Sequence, residues 1–325
     1  MAPQFLDALG REFHFIPPHK HGFDTVETLR AMHAGKVKVF VAMGGNFLSA
    51  TPDTEYGAAA MRRCALTVHV AIKLNRSHLV TGEQALILSQ GRLPPPSDEL
   101  LAELVIVARM AKATLGARST VDWDRLVADY HHIRDAIARV IPGFQVFNQR
   151  VRAPGGFYLP NLARDRREWS TKSGKAHFTC HAIPRTALEP GQLVLMSIRS
   201  HDRFNTTVYV LDDRYRGVHD ERRVLYLNPA DTRELALHSG QVVDLTSHFR
   251  GATRTARRFV VVPYDIPRRC AATYDPEANV LVPVDIVAER SNTPTYKYLV
   301  VTVAPAASSR PYDYDRAEGA QPLDG

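Results

Sequence analysis

Leu193-Val194-Leu195-Met196-Ser197-Ile198 runs without a break into Arg199-Ser200-His201-Asp202-Arg203-Phe204-Asn205-Thr206-Thr207-Val208-Tyr209. The first six residues read as a strand opening a new domain. The eleven that follow place two arginines, a histidine, an asparagine and two threonines where a buried strand would otherwise continue. Guanidinium groups pair with phosphate oxygens through charge-assisted bonds, and Asn and Thr satisfy heterocycle edges. Such a density of donors suits a large, polar, anionic ligand. The same composition also describes a solvated loop, so both readings stand on these residues alone.

Beyond this stretch the texture is one of short strands, predicted at 193–198, 224–227, 242–246, 258–262, 280–284 and 298–303. Short, well-separated strands with few helices indicate a small β-barrel. Asn228-Pro229 starts a brief helix, with proline at a tolerated first-turn position. From about residue 305 the mixture of Ala, Ser, Pro, Asp and Gly predicts a flexible tail.

Upstream, residues 1–22 show no stable period and read as a loop. Asp24 with Glu27 forms a capping box for a short helix reaching about Ala34 and closed by Gly35. A strand is expected at 37–42, then a glycine loop at 43–53, a helix capped by Asp53, and strands at 66–72 and 84–88. This order belongs to an open, Rossmann-like α/β layer, in which ligands sit beyond the carboxyl ends of the strands. Gly44 and Gly45 allow close backbone approach, and Asn46 offers hydrogen bonds to a ring or ribose. The spacing is not that of a dinucleotide fingerprint or a phosphate-binding lysine loop. A tight turn without a ligand explains a Gly-Gly pair equally well.

Leu93-Pro94-Pro95-Pro96 breaks this region, and helices are predicted at 99–115 and 122–140 from their apolar faces. His131 and His132 fall in the second helix without an acidic or cysteine partner at ligand spacing. Residues 144–180 are irregular and turn-rich. The expected division is therefore a partial α/β domain at 1–92, a helical and irregular connecting region at 93–188, a β-barrel at 189–304, and the tail at 305–325.

The 325 residues are ample for two cores, and 45% of them are apolar. No apolar run is long enough for a membrane span and no secretory leader is evident. Cys64, Cys180 and Cys270 lie far apart, which argues against a disulfide framework or a clustered metal motif and favours the cytoplasm. The net charge of +7 permits nucleic-acid binding, but many arginines alternate with acids, as in 212–216 and 220–223. A polyanionic cofactor accounts for the excess as well, and no nucleic-acid partner is expected. No zinc-protease motif, nucleophile elbow or Cys-x-x-Cys occurs. His201 beside Asp202 resembles a base and its orienter, yet adjacent strand residues point to opposite faces.

Several longer stretches resemble one family. They are Gly44-Gly45-Asn46-Phe47-Leu48-Ser49-Ala50-Thr51-Pro52-Asp53, residues 67–80, Pro142-Gly143-Phe144, Pro154-Gly155-Gly156-Phe157, residues 199–207, residues 211–217 and residues 276–283. Together, in order, they resemble the C-terminal half of molybdopterin oxidoreductases, in the formate-dehydrogenase-like branch that includes acid-resistance oxidoreductase alpha subunits. The resemblance implies a bis-molybdopterin guanine dinucleotide cofactor carrying molybdenum, gripped by the α/β layer and a C-terminal double-psi β-barrel. It implies that Gly44, Gly45, Asn46 and Asp53 lie near a guanosine end, with Lys73, Arg76 and His78 from the second stretch also in the site. Arg199, His201, Asn205, Thr206 and Thr207 would line the pterin or pyrophosphate, and Asn292 and Lys297 would close over the pterin. No catalytic residue or protein-borne metal ligand is assigned.

Full-length relatives are about twice as long and begin with an iron–sulfur region. The resemblance therefore places a 4Fe-4S cluster outside this chain. It also implies a separately encoded N-terminal half or electron-transfer partner, and a small-molecule substrate. A catalytically inactive fragment, or a cofactor-binding or interaction subunit, is the alternative.

Overall fold

The computed structural model describes residues 3–71, 75, 77, 84–88, 97, 100–183, 187–201, 203, 204, 207, 208 and 211–307, with 84–88, 204, 207 and 208 described by backbone alone. The chain forms two compact units, one from Met1–Gly22 with Ser89–Arg185, the other from Phe23–Leu88 with Thr186–Gly325.

The second unit carries the sheets. Strands β1 (Val39–Met43), β2 (Leu66–Ala71) and β3 (Gln84–Leu88) form a parallel sheet in that order. The helix Thr25–His33 starts where its residues dictate: the Asp24 carboxylate accepts the Glu27 N–H at 2.9 Å, and Gly35 follows the last turn at φ +69°. Its Val26, Leu29 and Met32 are buried against Leu48, Ala60 and Met61. Asp53 caps the helix Thr54–Met61 through the Tyr56 N–H at 3.3 Å.

The barrel is closed, in the order β10-β4-β11-β8-β9-β7. Its strands are β4 (Leu193–Ile198), β7 (Val224–Leu227), β8 (Val242–Phe249), β9 (Ala252–Pro263), β10 (Cys270–Tyr274) and β11 (Leu299–Pro305), while β5 (Arg203–Phe204) and β6 (Thr207–Val208) make a separate two-stranded hairpin. β4 pairs parallel with β10 and β7 with β9; the other barrel pairs are antiparallel. Alternation fills the interior: Leu193 and Leu195 from β4, Val243 and Leu245 from β8, and Phe259 and Val261 from β9 are buried together. Each fully buried leucine contributes about 1.5–3 kcal/mol relative to an exposed one. Opposite Asp244, β9 carries the extra residue of a bulge, since Val243 faces Phe259 but Leu245 faces Ala256. Arg258 there takes φ +67° and donates its N–H to the Asp244 carboxylate at 2.9 Å.

Four expectations change. Residues 3–13 are helical, because Phe5, Leu6, Leu9 and Phe13 recur at helical spacing; the apolar stripe is real although no capping residue announces it. The helix expected at 122–140 is two, Trp123–Ala128 and Tyr130–Val140. Asp129 interrupts it in an extended conformation and caps the second through the His131 N–H at 2.8 Å. The run at 280–284 is buried but is no strand. Asn279–Leu281 is a 3₁₀ turn, the Ser247 hydroxyl holds the Leu281 carbonyl at 2.7 Å, and Val284 joins the core under the parallel sheet. Burial, rather than a ladder, is what those residues encode. In its place β10 completes the barrel, with Ala271 and Ala272 small enough to sit between neighbouring strands.

In the first unit, the helices Pro3–Phe13 and Tyr130–Val140 are joined by Glu12 and Arg139, with Nε to Oε2 at 2.8 Å. Residues 144–180 are irregular apart from the short helices Phe147–Arg150 and Leu162–Arg166. Among the described residues no helix is long and apolar enough to cross a membrane.

Candidate functional site

Because β4 and β10 run parallel, with Ile198 beside Tyr274, the polar segments that follow them leave the barrel side by side. The Asp275 N–H donates to the Ile198 carbonyl at 3.0 Å and fixes that juxtaposition. Three acids from these segments and the 211–218 turn are matched by three arginines.

Asp213 is fully buried. Its Oδ2 accepts the Tyr274 hydroxyl at 2.7 Å, Arg216 Nη1 at 2.5 Å and the His201 N–H at 3.3 Å, and its Oδ1 accepts the Tyr215 N–H at 3.2 Å. Burial alone would raise this carboxyl, but the Tyr274 hydroxyl and the Arg216 guanidinium outweigh it and hold the group below the usual carboxylate range. Burial pushes the Tyr274 and Tyr226 hydroxyls up, so both are neutral donors at neutral pH, hydrogen-bonded to one another.

Arg222 is the second anchor. Its Nε and Nη2 form a bidentate pair with Glu277 at 2.8 and 3.0 Å, Nη2 also reaches the Asp275 carbonyl at 3.0 Å, and Nη1 donates to the Ser200 hydroxyl. The third pair is Arg203 with Asp275, Nη1 to Oδ1 at 2.6 Å, the arginine side chain being 2% exposed. That contact has the distance of an ion pair without the angles of a hydrogen bond, and Arg203 Nε has no acceptor among the described residues.

With those pairs formed, the remaining cations at this end of β4 are Arg199, Arg214 and Lys297. Arg199 is exposed, and its guanidinium makes no hydrogen bond or ion pair among the described residues. Arg214 Nη2 lies 3.3 Å from His201 Nε2, and its guanidinium sits 5.1 Å from the centre of the Tyr215 ring. Lys297 Nζ donates to the Ser197 carbonyl near the end of β4. Asp212 is turned to the Asp220 N–H and His219 instead. The site thus carries positive charge unmatched by acids among the described residues.

The glycine loop meets the barrel through the segment after β10 and the residues leading into β11. Asn279 Nδ2 donates to the Ser49 carbonyl at 2.7 Å, the Asp53 N–H to the Asn279 carbonyl at 3.0 Å, and the Tyr296 hydroxyl to the Ala50 carbonyl at 3.1 Å. Gly44 and Gly45 take φ +68° and +69°, the first with open space where a side chain would stand. Asn46 Oδ1 accepts the Ser49 N–H and the Ser77 hydroxyl. Asp53, at φ +49°, is held by Arg254 Nε at 2.8 Å. Asn292 Nδ2 donates to Asp24 at 2.7 Å, bracing the helix cap. Lys73, Arg76, His78, Asn205 and Thr206, and the side chain of Thr207, lie outside the described residues.

Asp53→Ala removes a helix cap, worth about 1 kcal/mol, and one side of a largely buried charged pair, worth about 1.5–3 kcal/mol. Urea unfolding is expected to show a loss of about 2–4 kcal/mol. Asp53→Asn, which keeps the cap acceptor and tolerates positive φ, loses less.

The sequence does not mark Ser200, Asp213, Arg222, Tyr274, Asp275 or Glu277 as site residues. Ser200, Asp213 and Glu277 lie inside the quoted family stretches, and no local pattern marks Tyr274. Among the described residues no group of three or more His, Cys, Asp or Glu is placed to hold a metal ion.

Residues 193–300, which include nearly all of the closed six-stranded barrel and its arginine-rich mouth, are matched by the family model of the molydopterin dinucleotide binding domain. Along 94% of its length the chain is 47% identical to an uncharacterized oxidoreductase of Mycobacterium tuberculosis. It is 37% identical to protein YdeP of Escherichia coli K12 over 93% of its length. It is thus a molybdopterin-binding domain related to these proteins, and it spans 44% of the length of each. Among solved structures it is similar to acetylene hydratase from Pelobacter acetylenicus, at 11% identity and a TM-score of 0.47, over 93% of this chain and 50% of that one.

Proposed function

We propose that this chain is the molybdopterin-guanine-dinucleotide-binding portion of a molybdenum-dependent oxidoreductase of formate-dehydrogenase-like type, acting in the cytoplasm on a small molecule. The observation that carries the reading is the surplus of cations at the mouth of the barrel. Among the described residues Arg199, Arg214 and Lys297 face no acid and the buried Arg203 Nε has no acceptor. A donor set of guanidinium and ammonium groups suits the pyrophosphate of a dinucleotide. The residues present therefore fit the cofactor. Arg199 and Arg214 would hold phosphate, and His201, Asn205, Thr206 and Thr207 would supply further donors. Lys297 would close the mouth, and Gly44, Gly45 and Asn46, with Lys73, Arg76 and His78, would meet a guanosine end. When bound as the bis form, the group supplies two-electron redox chemistry. The chain contributes orientation, charge neutralisation and exclusion of water.

The test is composition. Protein purified from a host that makes the cofactor is expected to contain molybdenum or tungsten and to release about two guanine nucleotides per metal on denaturation, the ratio of the bis form. Arg199→Ala should retain less than half of the wild-type metal, because it removes a charge-assisted phosphate contact, with the thermal midpoint of the cofactor-free protein unchanged. Protein that carries neither metal nor guanine after such expression overturns the reading.

A further inference from the structure

The net charge is unevenly spread. Residues 150–183 hold seven basic and two acidic residues, a net +5 of the chain's +7, leaving the other residues together at only +2. Beyond Arg150 this segment has no helix or strand except the short helix Leu162–Arg166, and it lies almost wholly on the surface. Three of its arginines are used internally. Arg150 holds the Gly143 carbonyl and covers the Phe157 ring, Arg152 holds the Asn148 carbonyl, and Arg164 pairs with Asp165. Arg166, Arg167, Lys172 and Lys175 make no side-chain hydrogen bond or ion pair among the described residues. Between and beside them stand bare apolar side chains: Phe178 is 99% exposed, Ile183 89%, Tyr158 86%, and Leu162 and Leu159 about half.

From this pattern we infer that residues 150–183 form a docking segment for another protein whose contact surface is apolar at its centre and acidic at its rim. Large side chains exposed together mark interaction sites, and the interleaved cations select the charge of the partner. A second copy of this chain is disfavoured, because it would bring two +5 segments together. Nucleic acid is also disfavoured: Ile183, Leu159 and Leu162 have no planar face to stack on a base, whereas they gain by burial against an apolar protein surface.

The experiment uses the full chain and, as probe, a random glutamate–tyrosine copolymer, compared with polyglutamate and a DNA duplex of about 20 base pairs. Binding is measured at about 50 and 300 mM salt, where screening of exposed charges differs strongly. The copolymer is expected to bind about tenfold more tightly than polyglutamate at the higher salt. K172E/K175E should weaken it about tenfold at low salt, and F178S/I183S about fivefold at both salts. K36E/K38E, on exposed lysines elsewhere, should change it less than about twofold. All variants should keep the wild-type thermal midpoint, since the replaced side chains are exposed. No binding of the copolymer overturns the inference, as do equal binding of polyglutamate, indifference to F178S/I183S, an equal effect of K36E/K38E, or tighter binding of the duplex.

Discussion

Asp213→Ala is expected to lower the stability of the barrel unit by about 3–5 kcal/mol, the cost of breaking a buried charged pair by removing one partner. The deleted carboxylate satisfies two backbone N–H groups, the Tyr274 hydroxyl and the Arg216 guanidinium. Asp213→Asn should cost less, because one oxygen acceptor survives while the new amide N–H₂ confronts donors. Equilibrium unfolding in urea measures both, and a loss below about 1 kcal/mol for the alanine variant would contradict the assigned network. The same carboxylate sets a pH dependence. Its folded pKa is depressed, so its contribution is present above the unfolded value, near 3.9, and is lost as pH falls through the lower folded value. From pH 5 towards pH 3 the wild type should therefore lose more stability than Asp213→Asn, whose amide does not titrate.

Arg222→Ala is expected to cost about 3 kcal/mol or more. Its guanidinium holds both oxygens of Glu277, the Asp275 carbonyl and the Ser200 hydroxyl, and its side chain is 4% exposed. Truncation leaves the Glu277 carboxylate, 17% exposed, without its counter-charge. Replacing both partners, as Arg222→Met with Glu277→Leu, removes the charges together and should recover most of the loss. A double variant as unstable as the single one would mean that the arginine acts through packing against Tyr274, 5.1 Å from its ring centre, rather than through Glu277. The bond from Arg222 to Ser200 also ties the start of the 199–208 segment to the turn after β10. Loosening it should reach the cationic mouth as well as the core.

Local chemistry was legible wherever one short stretch contains its own partners. The Asp24 and Asp53 caps, the Asn228-Pro229 helix start and the alternation of β4 and β8 are each decided within a few residues. The helix at 3–13 lacks a cap that would announce it, and Asp129 inside a helical period hides a chain break, because Asp competes with the helix for the following N–H groups. The run at 280–284 shows the limit of an apolar signal. It reports burial, and burial is shared by strands, turns and plugs alike.

The candidate site divides in the same way. That residues 199–207 are dense in donors, and that a glycine turn follows β1, could be read directly from the amino-acid order. Which polar groups around them are already paired could not. Asp53 is held by Arg254, Asn292 by Asp24, and Asp213 by Tyr274, partners separated by 201, 268 and 61 positions. Hydrogen bonds over such separations leave no periodic trace, since they exist only once the barrel closes and brings the ends of β4 and β10 together. The sequence by itself determined where helices are capped, which strands alternate and where positive charge is concentrated. The tertiary structure alone decided which charges neutralise one another and which stay open, because pairing depends on distance in space and on the water excluded by the closed barrel.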